Sequence, residues 1–117
     1  MNLLSLLNPR DYSLIRGDVI ASLLRYEADG VPTGGFLEAV LANDLSGACG
    51  SADGDNVRAL AAIVSFVYNE LNGRCWGSYE VVRAWLGWHA AQRRDGDVVA
   101  ATEALGAANE ESRRRMR

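Results

Sequence analysis

The chain has 117 residues and a formal net charge of −3, and almost half of its residues are hydrophobic. That length holds one domain with a real core, and that apolar content excludes disorder throughout. The mild acidity argues against broad attraction to nucleic acid.

Two cysteines, Cys49 and Cys75, do not make a disulfide scaffold. All twelve basic residues are arginine. A GC-rich coding sequence explains this more simply than selection for bidentate anion binding. Only two prolines occur, and Val, Ile and Thr do not alternate with polar residues over any stretch. Helices are therefore expected, not strands. No apolar run approaches the roughly 18 residues that span a bilayer.

In chain order, Leu3, Leu4, Leu6 and Leu7 make an apolar leader suited to packing on the body or on a second copy. It has no basic lead and no cleavage site, so a cytoplasmic protein with reduced thiols is expected. Asn8-Pro9 reads as a cap and first helical position. The helix it opens is expected to reach Ala28. Leu14, Ile15, Val19, Leu23 and Tyr26 form its buried face, widened by Ile20 and Leu24. Asp29-Gly30 stops it.

Pro32-Thr33-Gly34-Gly35 is a turn, with Thr33 as N-cap of a second helix that buries Phe36, Leu37, Val40 and Leu41. A break is expected around Leu45-Ser46-Gly47, with a short helical turn through Ala48-Cys49. Ser51, Asp53 or Asp55 caps a third helix from Asn56 to Leu71. Val57, Leu60, Ala61, Val64, Val67, Tyr68 and Leu71 line one face of it, with Ile63 and Phe66 on the other. A helix so apolar belongs at the centre of a bundle.

Ser78 caps a fourth helix, whose inner face is Val81, Val82, Trp85, Leu86 and His89 with Trp88 alongside. It ends before Asp95-Gly96. A last helix starts at Asp97, carries the thin stripe Val98, Ala101, Leu105 and Ala108, and runs into Arg113–Arg117. Such a stripe buries little, so this helix is expected to dock on a partner copy or fray. The fold expected is all-α, a compact bundle of four to five helices, with residues 1–96 as core domain and 97–117 as C-terminal helix and tail.

Little here asks for catalysis. His89 is the single histidine, no Cys/His spacing suits zinc, and no nucleophile motif occurs. No enzyme, metal or cofactor is expected. The helix start at Thr33-Gly34-Gly35 offers bare N–H groups that an anion can approach, and Gly77-Ser78 is a second such start. A tight turn is the simpler reading of the first. If both starts faced one cleft, Tyr26, Phe36 and Trp76 would wall it. Asn43, Asp44 and Asn69 either lock helix packing or touch a ligand, with Arg25 and Arg58 as nearby cations. The arginine tail reads as a solvated helix end before it reads as a nucleic-acid contact.

The series Tyr26, Gly30-Val31-Pro32, Gly34-Gly35-Phe36-Leu37, Ala39-Val40-Leu41, Asn43-Asp44-Leu45, Ala52-Asp53, Asn56, Ile63-Val64, Val67-Tyr68-Asn69, Cys75-Trp76-Gly77-Ser78, Val82 and Trp85 resembles a group of small proteins encoded by bacteriophages and prophages. The resemblance spans Tyr26 to Trp85, roughly half the chain. It implies a non-structural accessory protein of the infected bacterium, acting by binding, and carries over no catalytic residue. Two readings follow. In one, an oligomer sequesters a small anionic or nucleotide ligand in counter-defence, through Thr33, Gly34, Gly35, Asn43, Asp44, Trp76, Ser78, Tyr26 and Arg25. In the other, the protein inhibits or supports a host protein by contact alone, with no small ligand.

Overall fold

A computed structural model of the protein describes residues 11–115. The apolar leader and the Asn8-Pro9 cap lie outside the described residues. Six helices follow: α1 (Gly17–Asp29), α2 (Gly35–Leu41), α3 (Leu45–Ser51), α4 (Gly54–Glu70), α5 (Tyr79–Arg93) and α6 (Val98–Arg115). No strand occurs among the described residues. The all-α expectation holds, and the count is six instead of four to five.

α1 begins at Gly17, because the residues before it satisfy themselves locally. The Asp11 carboxylate accepts from the Ser13 N–H, and the Ile15 N–H closes a turn on the Tyr12 carbonyl. Leu14 therefore sits in a turn, outside the helical register, and is exposed along with Leu24. Ile15, Val19, Leu23 and Tyr26 are buried as the spacing predicts. Gly30 ends α1 in the left-handed conformation (φ 65°), its N–H returning to the Tyr26 carbonyl at 3.0 Å.

The cap of α2 is Gly34, not Thr33. Gly34 adopts φ 106°, a conformation open to glycine, and this shifts the turn one residue along. The Thr33 hydroxyl instead donates to the Gly34 carbonyl. α2 buries Leu37, Val40 and Leu41, with Phe36 half-buried. The expected break comes earlier, at Ala42–Asp44. There Asn43 turns to φ 62°, and the Asp44 carboxylate accepts from the Gly47 N–H at 3.0 Å. That cap converts Leu45-Ser46-Gly47 into the first turn of α3.

Asp53 caps α4 through the Asn56 N–H. Its buried face is Asn56, Ala59, Ile63, Phe66 and Val67. The stripe expected inside points largely outward, with Val57, Val64 and Tyr68 at 53%, 45% and 70% exposure. Hydropathy cannot rank two apolar faces. Here the Tyr12 ring meets Phe66 edge-on at 5.1 Å, and small Ala59 lets α4 approach the body closely.

Ser78 caps α5 through the Val81 N–H, and Val81, Val82 and Trp85 are buried. Asp97 caps α6 through the Ala100 N–H. α6 packs along α5 and buries Leu105, Asn109 and Ser112. Of the thin stripe Val98, Ala101, Leu105 and Ala108 only Leu105 is buried, and the polar Asn109 and Ser112 complete the inner face.

Candidate functional site

The two helix starts at Gly34-Gly35 and Gly77-Ser78 line different hollows, and it is the other end of α2 that meets Gly77-Ser78. The Gly77 N–H donates to the Leu41 carbonyl at 2.7 Å, and the Tyr79 hydroxyl donates to Asp44 at 2.6 Å. These bonds join the Asn43-Asp44 corner to the start of α5. Asn43 and Ser78 line a hollow of about 300 Å³ there with Glu80, Ser112 and Arg115. Ser78 Oγ accepts from the Val81 N–H, whereas the buried Ser112 Oγ has no partner among the described residues. The Tyr79 hydroxyl, then the Gly47 N–H, holds the Asp44 carboxyl below its ordinary value. Hydrogen bonding from its own N–H likewise holds Glu80 low, and Arg115 stands 3.8 Å away.

Thr33, Gly34 and Gly35 line a different hollow, of about 250 Å³, with Arg16, Ser22 and Asn56. The two hollows lie at opposite ends of the seven-residue α2, a helix about 10 Å long. Tyr26 walls neither. It is buried, its hydroxyl donates to the Cys75 carbonyl at 2.6 Å, and its own carbonyl accepts from Trp85 Nε1 at 3.0 Å. Trp76 is half-buried against Tyr68, with ring centroids 5.8 Å apart. Arg25 is exposed on α1 and lines neither hollow. Asn69 bonds back to Ser65 within α4.

A cleft of about 380 Å³ opens where the α4–α5 connection meets α5 and α6. Asn72 and Arg74 enter from the connection, Trp85 and Trp88 from α5, and Thr102, Leu105, Asn109 and Arg113 from α6. Hydrogen bonds tie its walls together. Trp88 Nε1 donates to Thr102 Oγ1 at 3.2 Å, and Thr102 in turn donates to the Val98 carbonyl. Asn109 is 6% exposed, and its amide donates to the Arg74 carbonyl at 3.0 Å and to the Leu105 carbonyl. Asn72 Oδ1 accepts from the Arg74 N–H, which shapes the loop.

No protein-family model, curated protein or solved structure matches the chain. The chemistry of the cleft is therefore read from its own side chains. Arg74 and Arg113 form no salt bridge with another described residue, whereas Arg114 and Arg115 pair with Glu110, Glu111 and Glu80. Two uncompensated guanidinium groups beside an aromatic wall make an anion-accepting surface on an acidic chain. A broader hollow of about 580 Å³ between the end of α1 and α5 carries a single arginine, Arg93, one of whose N–H groups donates to the Asp29 carbonyl.

His89 stands beside Trp85 and Trp88, with ring centroids at 5.1 and 4.9 Å, and its buried Nε2 has no partner. No group of three or more His, Cys, Asp or Glu side chains able to hold a metal occurs among the described residues. No helix of the described residues is long and apolar enough to cross a membrane.

Asn72, Arg74, Asn109 and Arg113 do not stand out in the sequence as site residues. One signal was available. Asn109 follows Leu105 at helical spacing, so it falls on the apolar stripe of α6, where a polar residue needs a partner.

Proposed function

We propose that the protein is a non-catalytic accessory binding protein of the phage type that captures a small anionic ligand in the cleft between α5 and α6. It acts in the host cytoplasm and sequesters that ligand in counter-defence. The observation that carries this reading is the pair of unpaired arginines, Arg74 and Arg113, in a cleft walled by Trp88. Calorimetric titration with pyrophosphate and with nucleoside phosphates tests it. Saturable binding that Arg74→Ala and Arg113→Ala each weaken about tenfold or more is expected, since hydrogen bonds to charged groups are worth about 1.5–3 kcal/mol. Absence of heat at millimolar ligand refutes it.

A second reading, contact with a host protein or with a second copy, is favoured by the outward stripe of Val57, Val64 and Tyr68. Exposed apolar residues at helical spacing are suited to receive another helix. Val64→Glu is then expected to abolish capture of a stoichiometric partner, or the oligomer seen by light scattering. The Arg74→Ala variant should leave both intact. A monomer that captures no partner removes this reading.

A further inference from the structure

We infer that the α5–α6 cleft is built for one free nucleoside monophosphate, held by its base as well as its phosphate. The inference rests on reading the cleft as an anion site and goes further by assigning the uncharged half of the ligand. An anion alone needs only Arg74 and Arg113. The cleft holds two further polar groups with spare capacity of opposite kinds. Asn72 uses Oδ1 on the Arg74 N–H, which leaves its amide hydrogens as free donors. Asn109 uses its amide nitrogen on the Arg74 and Leu105 carbonyls, which leaves Oδ1 as an acceptor on a side chain only 6% exposed.

A donor and an acceptor beside an indole wall match the edge of a nucleobase, since every base edge offers hydrogen-bond acceptors and donors around a stackable ring. Trp88 is held in place beforehand by its bond to Thr102, so a stacking ligand pays little to order it. The volume of about 380 Å³ lies near the lower end of the roughly 300–1,000 Å³ usual for small-molecule sites. That is room for one nucleotide and not for two.

The test is calorimetric titration of the full chain with AMP, GMP, CMP, UMP, ribose 5-phosphate and a 5′-phosphorylated decanucleotide. At least one mononucleotide is expected to bind about tenfold or more tighter than ribose 5-phosphate, the factor that base stacking supplies. Trp88→Leu and Asn72→Asp are expected to bring that ratio towards one. Arg74→Ala and Arg113→Ala should weaken both ligands alike and preserve the ratio. Asn72 lies in an exposed loop, so its variant reports even if Trp88→Leu fails to fold. A mononucleotide bound no better than ribose 5-phosphate overturns base recognition while the anion site stands. A decanucleotide that outcompetes every mononucleotide overturns the free ligand. No binding of any of the six removes the inference, and a lack of pyrophosphate binding as well removes the anion site beneath it.

Discussion

Replacing Gly30 with alanine tests the joint between α1 and α5. Gly30 has φ 65° and ψ 39°, a left-handed conformation that costs an alanine about 1–2 kcal/mol. The new methyl would also stand 2.4 Å from His89 Cβ, 2.7 Å from Cγ and 2.9 Å from Cδ2. Ordinary carbon contacts lie at about 3.5–4.0 Å, so one helix must move by about an ångström. His89 Cβ is fixed to the α5 backbone, and the His89 ring sits against Trp85 and Trp88. Overpacking of this kind costs about 1–3 kcal/mol. The sum is about 2–5 kcal/mol, or a fall in Tm of about 8–20 °C at about 4 °C per kcal/mol. Urea unfolding followed by tryptophan fluorescence reads it directly. Gly34→Ala gives a case of backbone strain without a clash, in a different glycine-favouring conformation, because its φ is 106° and nothing stands within 4 Å of the added methyl. His89→Gly in the Gly30→Ala background should return about 1–3 kcal/mol as coupling. A Gly30→Ala cost below about 1 kcal/mol, or no coupling to His89→Gly, refutes the tight contact.

Other outcomes follow from the buried polar groups. Tyr26→Phe removes the hydroxyl that satisfies the buried Cys75 carbonyl. It should cost about 1–3 kcal/mol in urea unfolding, whereas Tyr68→Phe at an exposed site should stay within about 0.5 kcal/mol. Cys49 is exposed and Cys75 is buried, so a thiol reagent at pH 8 should titrate one thiol in the native chain and a second only on unfolding. Burial pushes the Cys75 thiol up from 9.0 to about 12, with Glu27 adding to it, and burial likewise raises the Tyr26 phenol. Both groups favour their neutral forms in the fold. Their stabilisation is therefore complete below about pH 9 and declines as pH rises towards 12, because the unfolded chain releases its protons first. A pH series of Tm should be level on this account below pH 9 and fall above it. A Cys75→Ser variant that keeps the same alkaline slope from pH 9 excludes the thiol as its first cause.

The helix ends were the most legible part of the chain. Gly30 and Ser78 act at the positions their neighbours imply, and Asp53 is the one of three candidate caps that the structure uses, because a cap is a contact between residues three or four apart. The errors lie either between close local alternatives or where a choice depended on something distant. Thr33 lost the cap of α2 to the geometry of Gly34. Leu45-Ser46-Gly47 became helix because Asp44 was free to cap it, and Asp44 is steadied by Tyr79 from the next long helix. Val57 and Val64 turned outward because α4 has two apolar faces and the Tyr12–Phe66 contact engages the other.

The same division holds for the candidate site. By itself the sequence determined an all-helical chain and several of its helix ends, but it set Gly34-Gly35 beside Gly77-Ser78, where the structure puts Asn43-Asp44 instead. Only the tertiary structure decided that Asn72 and Arg74, Trp88, and Asn109 and Arg113 share one cleft. Those residues come from a loop and two helices. Their approach is set by how α6 lies along α5, which depends on the summed packing of Leu105, Asn109 and Ser112 and leaves no local pattern in the chain.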